Sequence, residues 1–299
     1  MPWIVLHLRC ERGNHEALEE ALLERGAAAV TLADAADHPL FEPGLGEMPL
    51  WQTIRLSGLF DASVDAEGIM AQLKAKHSEL TFTDPTIDIL EDKDWVRSWM
   101  DDYQPIAMGH KLWICPSWKA PPDPTAVNLI LDPGMAFGTG THPTTAMCLQ
   151  WLDSQSTDRG IGHHVIDFGC GSGILAIAAL LLGATEAWGV DIDPQALITA
   201  RDNASRNHVS EQRLHLLQPE HADTMAPADT VLANILAKPL LELAPTLTCL
   251  LKPGGKLVLS GILETQTEMI IRAYPEIHFD KPRTVEEWAL LSGTRRTQG

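Results

Sequence analysis

Hydrophobic and polar positions in the first part of the chain form short blocks that predict secondary structure. Residues 3–8 form a strand-like apolar run, and residues 14–26 carry apolar side chains at helical spacing, with Gly26 as the predicted end. Further strands are predicted at 27–32, 50–59 and 86–90, and a helix at 65–77. This β-α-β-β-α-β order is that of a ferredoxin-like α+β domain. Such a domain is a binding scaffold as often as a catalytic one.

From about residue 128 the pattern changes to strands that alternate with helices, which predicts an α/β domain with a parallel sheet. The strands are predicted at 165–169, 187–192, 230–236, 256–263 and, last in the chain, 288–293. The run 239–256 is predicted to be helical.

A connecting helix is predicted between the two domains, at 92–106, where a proline ends it. Trp95 and Trp99 lie one turn apart on one face of this helix. We interpret them as packing at the domain contact rather than stacking on a ligand. The predicted domains are therefore residues 1–91 and 107–299, with the linker helix between them.

Composition narrows the class of protein. Of the 299 residues 45% are hydrophobic, and no stretch approaches the ~18 consecutive apolar residues of a membrane span. Lys+Arg 22 against Asp+Glu 40 gives a net charge of −18, which disfavours a nucleic-acid partner and favours a basic one. Acidity that only keeps the protein soluble explains the charge equally well. Five isolated cysteines without a C-x-x-C indicate reduced thiols in a cytosolic protein, with neither a metal site nor a disulfide framework.

The predicted strand 165–169 runs into a glycine-rich turn and then directly into an apolar helix. Gly169, Gly171 and Gly173 form the turn, and Asp191 ends the next predicted strand about 20 residues later. This is the first βα turn of a doubly wound fold, where a carboxylate at the second strand end accepts hydrogen bonds from ribose hydroxyls. The combination predicts a nucleoside cofactor.

Two kinds of nucleoside cofactor fit the turn. Residues 171–176 satisfy the dinucleotide fingerprint G-x-G-x-x-A, so NAD is an alternative. Asp167 precedes the first glycine by two positions, and a carboxylate there repels a pyrophosphate but attracts an ammonium and a sulfonium group. Residues 120–237 contain no lysine, which excludes a P-loop.

Several segments of the chain resemble one known family. They are "DPGMAFGTGTHPTT" (132–145), "VIDFGCGSGILAIAA" (165–179), "GVDIDPQA" (189–196), "ANILAKPL" (233–240) and "LKPGG" (251–255). In this order they resemble the PrmA family of ribosomal protein L11 methyltransferases, within the class I S-adenosylmethionine-dependent methyltransferases. The resemblance covers essentially the whole chain. It implies a small N-terminal ferredoxin-like α+β domain that recognises the protein substrate, followed in the chain by a Rossmann-like methyltransferase domain.

The resemblance also implies a set of site residues. Thr145 matches a cofactor-contacting threonine, Gly169 the first glycine of the turn, Asp191 the ribose acid, and Asn234 the asparagine near the transferable methyl group. With the residues of the turn itself, the expected S-adenosylmethionine contacts are Thr145, Asp167, Gly169, Gly171, Asp191 and Asn234. The glycines of segment 131–145 are expected to let it fold over the methionine end of the cofactor and close the site.

Asn234 is the expected catalytic residue. We hypothesise that its side-chain oxygen accepts hydrogens of the substrate amine and orients the nitrogen lone pair; the alternative is a helix-capping asparagine. "Asn-Ile-Leu-Ala" (234–237) stands where many amino-group methyltransferases carry Asn-Pro-Pro-Tyr, and the missing aromatic disfavours a flat amide or base as substrate.

Other side chains have open roles at this point. His142 is interpreted as a structural partner in its loop rather than a base. Phe137 either covers the site or anchors its loop, and Lys238 is expected to point outward. His163 and His164 lack a companion ligand at metal spacing.

The resemblance therefore implies an enzyme that methylates lysine side chains and the N-terminal amine of the basic ribosomal protein L11. We further expect this enzyme to be cytoplasmic and monomeric, without nucleic-acid or membrane partners. The enzyme alternatives are a methyltransferase for release-factor glutamine or a nucleic-acid base, and an NAD-dependent dehydrogenase. The non-enzymatic alternative is an adaptor that docks on a ribosomal protein.

Overall fold

The computed structural model describes residues 3–35, 51–76, 81–90, 103–132, 142–156 and 161–297. The chain divides into two compact units, residues 1–102 and 103–299. Of the predicted linker helix 92–106, residues 92–102 lie outside the described part, and Trp95 and Trp99 with them. Its predicted end was wrong, since residues 103–105 are not helical and Ile106 begins a strand. None of the described helices is long and apolar enough to cross a membrane.

The first unit has the predicted ferredoxin-like element order. Its elements are β1 (Trp3–Glu11), α1 (His15–Glu24), β2 (Ala29–Asp34), β3 (Thr53–Asp61), α2 (Ala66–Lys76) and β4 (Thr83–Leu90). The strands pair antiparallel in the order β2-β3-β1-β4. Alternate residues of β1, Leu6 and Leu8, are buried together with Leu18 and Leu22 of α1, so one face of the sheet packs on the helix.

The second unit begins with a small three-stranded sheet and continues as an α/β domain. The small sheet comprises β5 (Ile106–Ala107), β6 (Leu112–Cys115) and β7 (Val127–Ile130). The helices are α3 (Pro143–Gln155), α4 (Ile174–Leu181), α5 (Pro194–Arg206), α6 (Ala237–Glu242), α7 (Ala244–Cys249) and α8 (Thr267–Ala273). The large sheet has β8 (His164–Phe168), β9 (Glu186–Val190), β10 (Leu214–Leu217), β11 (Ala228–Asn234), β12 (Leu251–Leu263), β13 (Ile277–Phe279), β14 (Arg283–Val285) and β15 (Trp288–Arg295).

The large sheet has the order β10-β9-β8-β11-β12-β15-β13, with β14 also paired to β15. Strands β8 to β12 are parallel, and β15 runs antiparallel to β12 and β13. The predicted parallel sheet is confirmed. The strand order reverses between β8 and β11, which is the switch point where doubly wound folds bind ligands, outside the carboxyl ends of the strands.

The prediction of a helix through residues 239–256 was wrong at its end. Leu251 already pairs with Ala228, and Gly254 adopts a φ of +78°, a left-handed conformation that an α-helix does not contain. Two short helices, α6 and α7, fill the first part of that run. Helix α4 is apolar on every side, since Ile174 to Leu180 are all buried between the sheet and its neighbours.

Candidate active site

The glycine-rich turn begins directly after β8 and ends at the start of α4. Gly169, Gly171 and Gly173 have φ angles of +78°, +52° and +76°, which other residues rarely adopt. A Cβ on Gly173 would lie 2.8 Å from the Cβ of Ala200, and a Cβ on Gly169 would overlap the Ile235 side chain. Glycine is therefore required for both the conformation and the close packing of the turn.

Asp191 lies one residue beyond β9 and is joined to the glycine turn. Its Oδ2 accepts a hydrogen bond from the Gly171 N–H at 2.8 Å, and its Oδ1 accepts one from the Asp193 N–H at 3.0 Å. An ionised carboxylate has about four lone-pair sites, so both oxygens retain capacity for ribose hydroxyls. The next residue, Ile192, is an apolar side chain that is 79% exposed beside this carboxylate.

Asp167 is buried behind the turn, at 1% exposure. Its Oδ2 accepts a hydrogen bond from the Ala176 N–H at 3.1 Å, whereas its Oδ1 has no partner among the described residues. Burial raises the pKa of Asp167 to about 7, the Ala176 hydrogen bond opposes that rise, and the negative charge of Asp191 adds to it. This site favours a nearby positive charge.

Asn234 and Thr145 are brought together from distant parts of the chain. Asn234 ends β11, and its Nδ2 donates to the Oγ1 of Thr145 at 3.1 Å. Thr145 is buried in the first turn of α3. The bond fixes the plane of the Asn234 amide at the carboxyl edge of the sheet.

Gly261 supports the segment after Asn234, a role that the sequence interpretation missed. It has a φ of +81°, and a Cβ there would lie 2.5 Å from the Ile235 carbonyl oxygen. Ile235 is thus enclosed by Gly169 on its side-chain face and Gly261 on its backbone. The register of β12 against β15 shifts between Leu259 and Ile262. A glycine inside a predicted strand is the sequence signal for such a close approach.

The remaining candidates take structural or peripheral positions. The His142 Nδ1 lies 2.8 Å from the Thr144 Oγ1 and caps α3, and the imidazole ring packs edge-on against Trp288. Lys238 is exposed, as predicted. Phe137 lies outside the described residues, as does most of segment 131–145. Within the described part, no group of three side chains is arranged to hold a metal ion.

These features fit a nucleoside cofactor with a cationic end. The turn lies at the sheet's switch point, and Asp191 stands at the strand end where doubly wound folds bind a ribose. Asp167 supplies a buried carboxyl oxygen that has no hydrogen-bond partner among the described residues. A pyrophosphate beside Asp167 would be repelled. The arrangement therefore fits S-adenosylmethionine better than NAD.

Comparison with known proteins gives a consistent result. The family model of ribosomal protein L11 methyltransferase (PrmA) matches residues 2–296. The ribosomal protein L11 methyltransferase of Teredinibacter turnerae is 52% identical over 297 residues, covering 99% of this chain and 98% of the relative. That of Pseudomonas putida is also 52% identical over 297 residues, covering 99% of this chain and 100% of the relative.

A solved structure shares the architecture. The crystal structure of a ribosomal protein L11 methylase from Lactobacillus delbrueckii subsp. bulgaricus is similar with a TM-score of 0.58 and 32% identity. The match covers 65% of this chain and 100% of that chain.

Proposed function

The chain belongs to the family of ribosomal protein L11 methyltransferases, and from that premise we propose that it methylates lysine side chains and the N-terminal amine of ribosomal protein L11. It is an S-adenosylmethionine-dependent methyltransferase. The observation that carries the proposal is the pairing of Asn234 with Thr145 beside the glycine-rich turn, since it places an oriented amide at the strand end where a methyl acceptor would approach.

S-adenosylmethionine supplies an electrophilic methyl group on a positively charged sulfur. We propose that Asp191 binds its ribose hydroxyls and that the backbone at Gly169 and Gly171 lies against it. A positive charge bound beside the buried Asp167 would favour the ionised form of this carboxyl group, so we propose that Asp167 offsets the charge of the cofactor. This role rests on the Asp167 Oδ1, which has no hydrogen-bond partner among the described residues. Thr145 and Asn234 complete the contacts at the methyl end.

The acceptor amine has to be neutral for an in-line displacement at the methyl group. At pH 7 a lysine with a pKa of about 10.4 costs about 4.6 kcal/mol to deprotonate, and an N-terminal amine with a pKa of about 7.8 costs about 1 kcal/mol. Proximity to the positively charged sulfonium lowers the pKa of either amine and so reduces the cost of deprotonation. The task of Asn234 is to accept the amine hydrogens through its Oδ1 and direct the lone pair, which needs no general base.

The environment of Asn234 favours an amine over a planar acceptor. Ala237 is buried where an aromatic residue stands in Asn-Pro-Pro-Tyr, so no ring is offered at that position to a base or an amide. Nothing in the described part of the site favours release-factor glutamine or a nucleic-acid base. The net charge of −18 supports a basic protein partner and no direct nucleic-acid contact. We further propose that the enzyme acts as a monomer, without a membrane partner, in the cytoplasm, where it would meet its ribosomal substrate.

The test is methyl transfer to purified ribosomal protein L11, with labelled S-adenosylmethionine and mass mapping of the modified amines. We expect label on lysines and the N-terminus, and a kcat about 100-fold lower for Asn234→Ala, because an oriented hydrogen-bond acceptor is lost. Lys238→Ala, four positions away and exposed, is the matched control and should keep wild-type turnover. An unlabelled L11, or full turnover by Asn234→Ala, would contradict the proposal.

A further inference from the structure

The small sheet β5–β7 stands next to the cofactor site without contributing a predicted contact to it. Its last strand, β7, continues into Leu131 and Asp132, and the chain returns at His142 to begin α3 with Thr145. The position of this sheet therefore determines where the chain leaves β7, and the position of α3 relative to the sheet determines where the chain returns at His142. Buried polar side chains bind the sheet at both of its ends.

Asn207 binds the end of β7. It follows α5 directly, is 7% exposed, and accepts the Ile130 N–H at its Oδ1 at 2.7 Å. Its Nδ2 donates to the Ile130 carbonyl at 2.8 Å and to the Asn203 carbonyl at 2.8 Å. The amide thus pairs with both backbone groups of Ile130 as a neighbouring strand would.

Asn203 lies one turn earlier on the same face of α5 and binds the glycine-rich turn. It is 4% exposed, and its Nδ2 donates to the Ser172 carbonyl at 2.9 Å, between Gly171 and Gly173. The same helix begins three residues after Asp191, at Pro194, with Asp193 as its N-cap. Helix α5 therefore connects the ribose acid, the glycine turn and β7.

Asp153 of α3 binds the other end of the small sheet. Its carboxylate accepts the N–H groups of His110, Lys111 and Leu112 at 2.6, 2.9 and 2.9 Å, and it is 1% exposed. The residue before that turn, Gly109, has a φ of +134°, and a Cβ there would overlap the carboxylate. Thr145 lies two turns earlier on the same helix, so the bond ties the helix that presents Thr145 to the small sheet.

We propose that Asn207 and Asp153 are positioning residues for S-adenosylmethionine binding. Asn207 fixes β7 against α5, which holds the glycine turn through Asn203, and Asp153 fixes the same sheet against the helix of Thr145. Together they set the distance between the glycine turn and Thr145, two parts of the site that are expected to contact the cofactor. The inference rests on the S-adenosylmethionine dependence of the proposed function but not on which protein is methylated.

The test compares cofactor affinity with stability in the full-length protein. Asn207→Ala removes three hydrogen bonds and should weaken the Kd for S-adenosylmethionine, measured by calorimetry, about tenfold or more, and lower Tm. The matched control is Thr230→Val, which removes a buried hydrogen bond to the Ile161 carbonyl (2.7 Å) at the opposite end of the large sheet. It should lower Tm and leave the Kd within about twofold of wild type.

Two further variants keep the inference testable if Asn207→Ala does not fold. Asp153→Asn preserves the volume and one acceptor but turns an NH2 group toward an N–H donor, and should weaken the Kd several-fold. In a double-mutant cycle, Asn203→Ala and Asn207→Ala should be non-additive in Kd, because both act through the one connection.

A wild-type Kd in Asn207→Ala and Asp153→Asn, with Tm lowered as in Thr230→Val, would overturn the inference and leave these residues a purely structural role. Because the readout is cofactor affinity, a failure to methylate L11 would count against the proposed function and not against this inference.

Discussion

Two aspartates lie on neighbouring parallel strands, at opposite ends of the large sheet. They differ in how many of their carboxylate oxygens accept hydrogen bonds from the protein. Asp229, at the start of β11, accepts the N–H groups of His163 and His164, both at 3.0 Å, and the Lys252 ammonium at 2.6 Å. Burial alone would raise its pKa, but these bonds outweigh it and the pKa of Asp229 is lowered. Asp167, near the end of β8, has one hydrogen bond, one oxygen without a described partner, and a raised pKa.

This difference indicates that the amino end of the sheet contributes to stability, whereas the carboxyl end is arranged to bind a ligand. At the amino end, the carboxylate of Asp229 is completed by the protein and contributes to stability. At the carboxyl end, the partners of Asp167 are incomplete, and the apolar side chains of Ile192 and Leu236 are 79% and 51% exposed. Incomplete hydrogen bonding and exposed apolar surface cost stability in the free protein and favour a ligand that supplies what is missing.

The largest expected effect is the opposite pH dependence of these two aspartates. Between pH 4 and 7 folded Asp167 holds a proton that the unfolded chain, with a pKa of about 3.9, has lost, so its contribution to the unfolding free energy falls as pH rises. Asp167→Asn should remove up to about 4 kcal/mol of this decline. Urea denaturation at a series of pH values measures it.

Asp229 supplies the contrasting case in the same experiment. Its lowered pKa makes its contribution to stability present above pH 4 and lost as the pH falls through the folded value. Asp229→Asn should therefore be destabilised near neutrality and lose less stability than wild type in acid. If both variants parallel the wild-type pH profile, the assigned difference between the two ends is wrong.

The next largest effect is expected at Asp191, where cofactor affinity tests whether the carboxyl end of the sheet binds ligand and the amino end only stabilises the fold. Asp191→Ala removes the proposed acceptor of ribose hydroxyls and the partner of the Gly171 N–H, and should weaken the Kd for S-adenosylmethionine about 100-fold, or about 2.7 kcal/mol. Asp229→Ala should lower Tm and leave that Kd unchanged. Equal losses of affinity in the two variants would show that the effect of Asp191 is one of general stability.

The smallest effect concerns the exposed apolar side chains. We expect Ile192 to pack on the adenine, because the base is attached to the ribose that Asp191 would bind. Ile192→Ala should weaken the Kd for S-adenosylmethionine about three- to tenfold, with an unchanged Tm because the side chain is exposed in the free protein. Ile198→Ala, at an exposed isoleucine of α5, is the control. A similar loss of cofactor affinity in this variant would contradict the expected packing of Ile192 on the adenine.

The parts of the site that are formed by residues close together in the sequence could be predicted from the sequence alone. A strand, a glycine-rich turn and a helix are contiguous in sequence, and the ends of parallel strands converge. The placement of Gly169, Asp191 and Asn234 at one edge therefore follows once β8, β9 and β11 are recognised. The order of the first domain follows in the same way from its hydrophobic periods.

Other parts depend on contacts between distant residues and were missed. Strands β6 and β7 have four residues each, too few to show a period, and are separated by a proline-rich loop. The hydrogen bonds between Asn207 and Ile130 join residues 77 positions apart, and no local sequence pattern at either residue indicates the contact. The Asp167 Oδ1 has no hydrogen-bond partner among the described residues, and this property depends on all of the side chains and backbone that pack around Asp167.

The bond between Asn207 and Ile130 also bears on how this family can diverge. Asn207 binds only main-chain atoms of Ile130, so the bond itself makes no demand on the side chain at position 130. Asp153 likewise binds the backbone of three successive residues. Substitutions can therefore accumulate in the small sheet, subject to its own packing, while its attachment to the cofactor domain persists. A designer who transplants this sheet into another methyltransferase would need an asparagine and an aspartate in the receiving domain at the positions of Asn207 and Asp153, and a glycine at position 109 of the sheet, where a Cβ would overlap the Asp153 carboxylate.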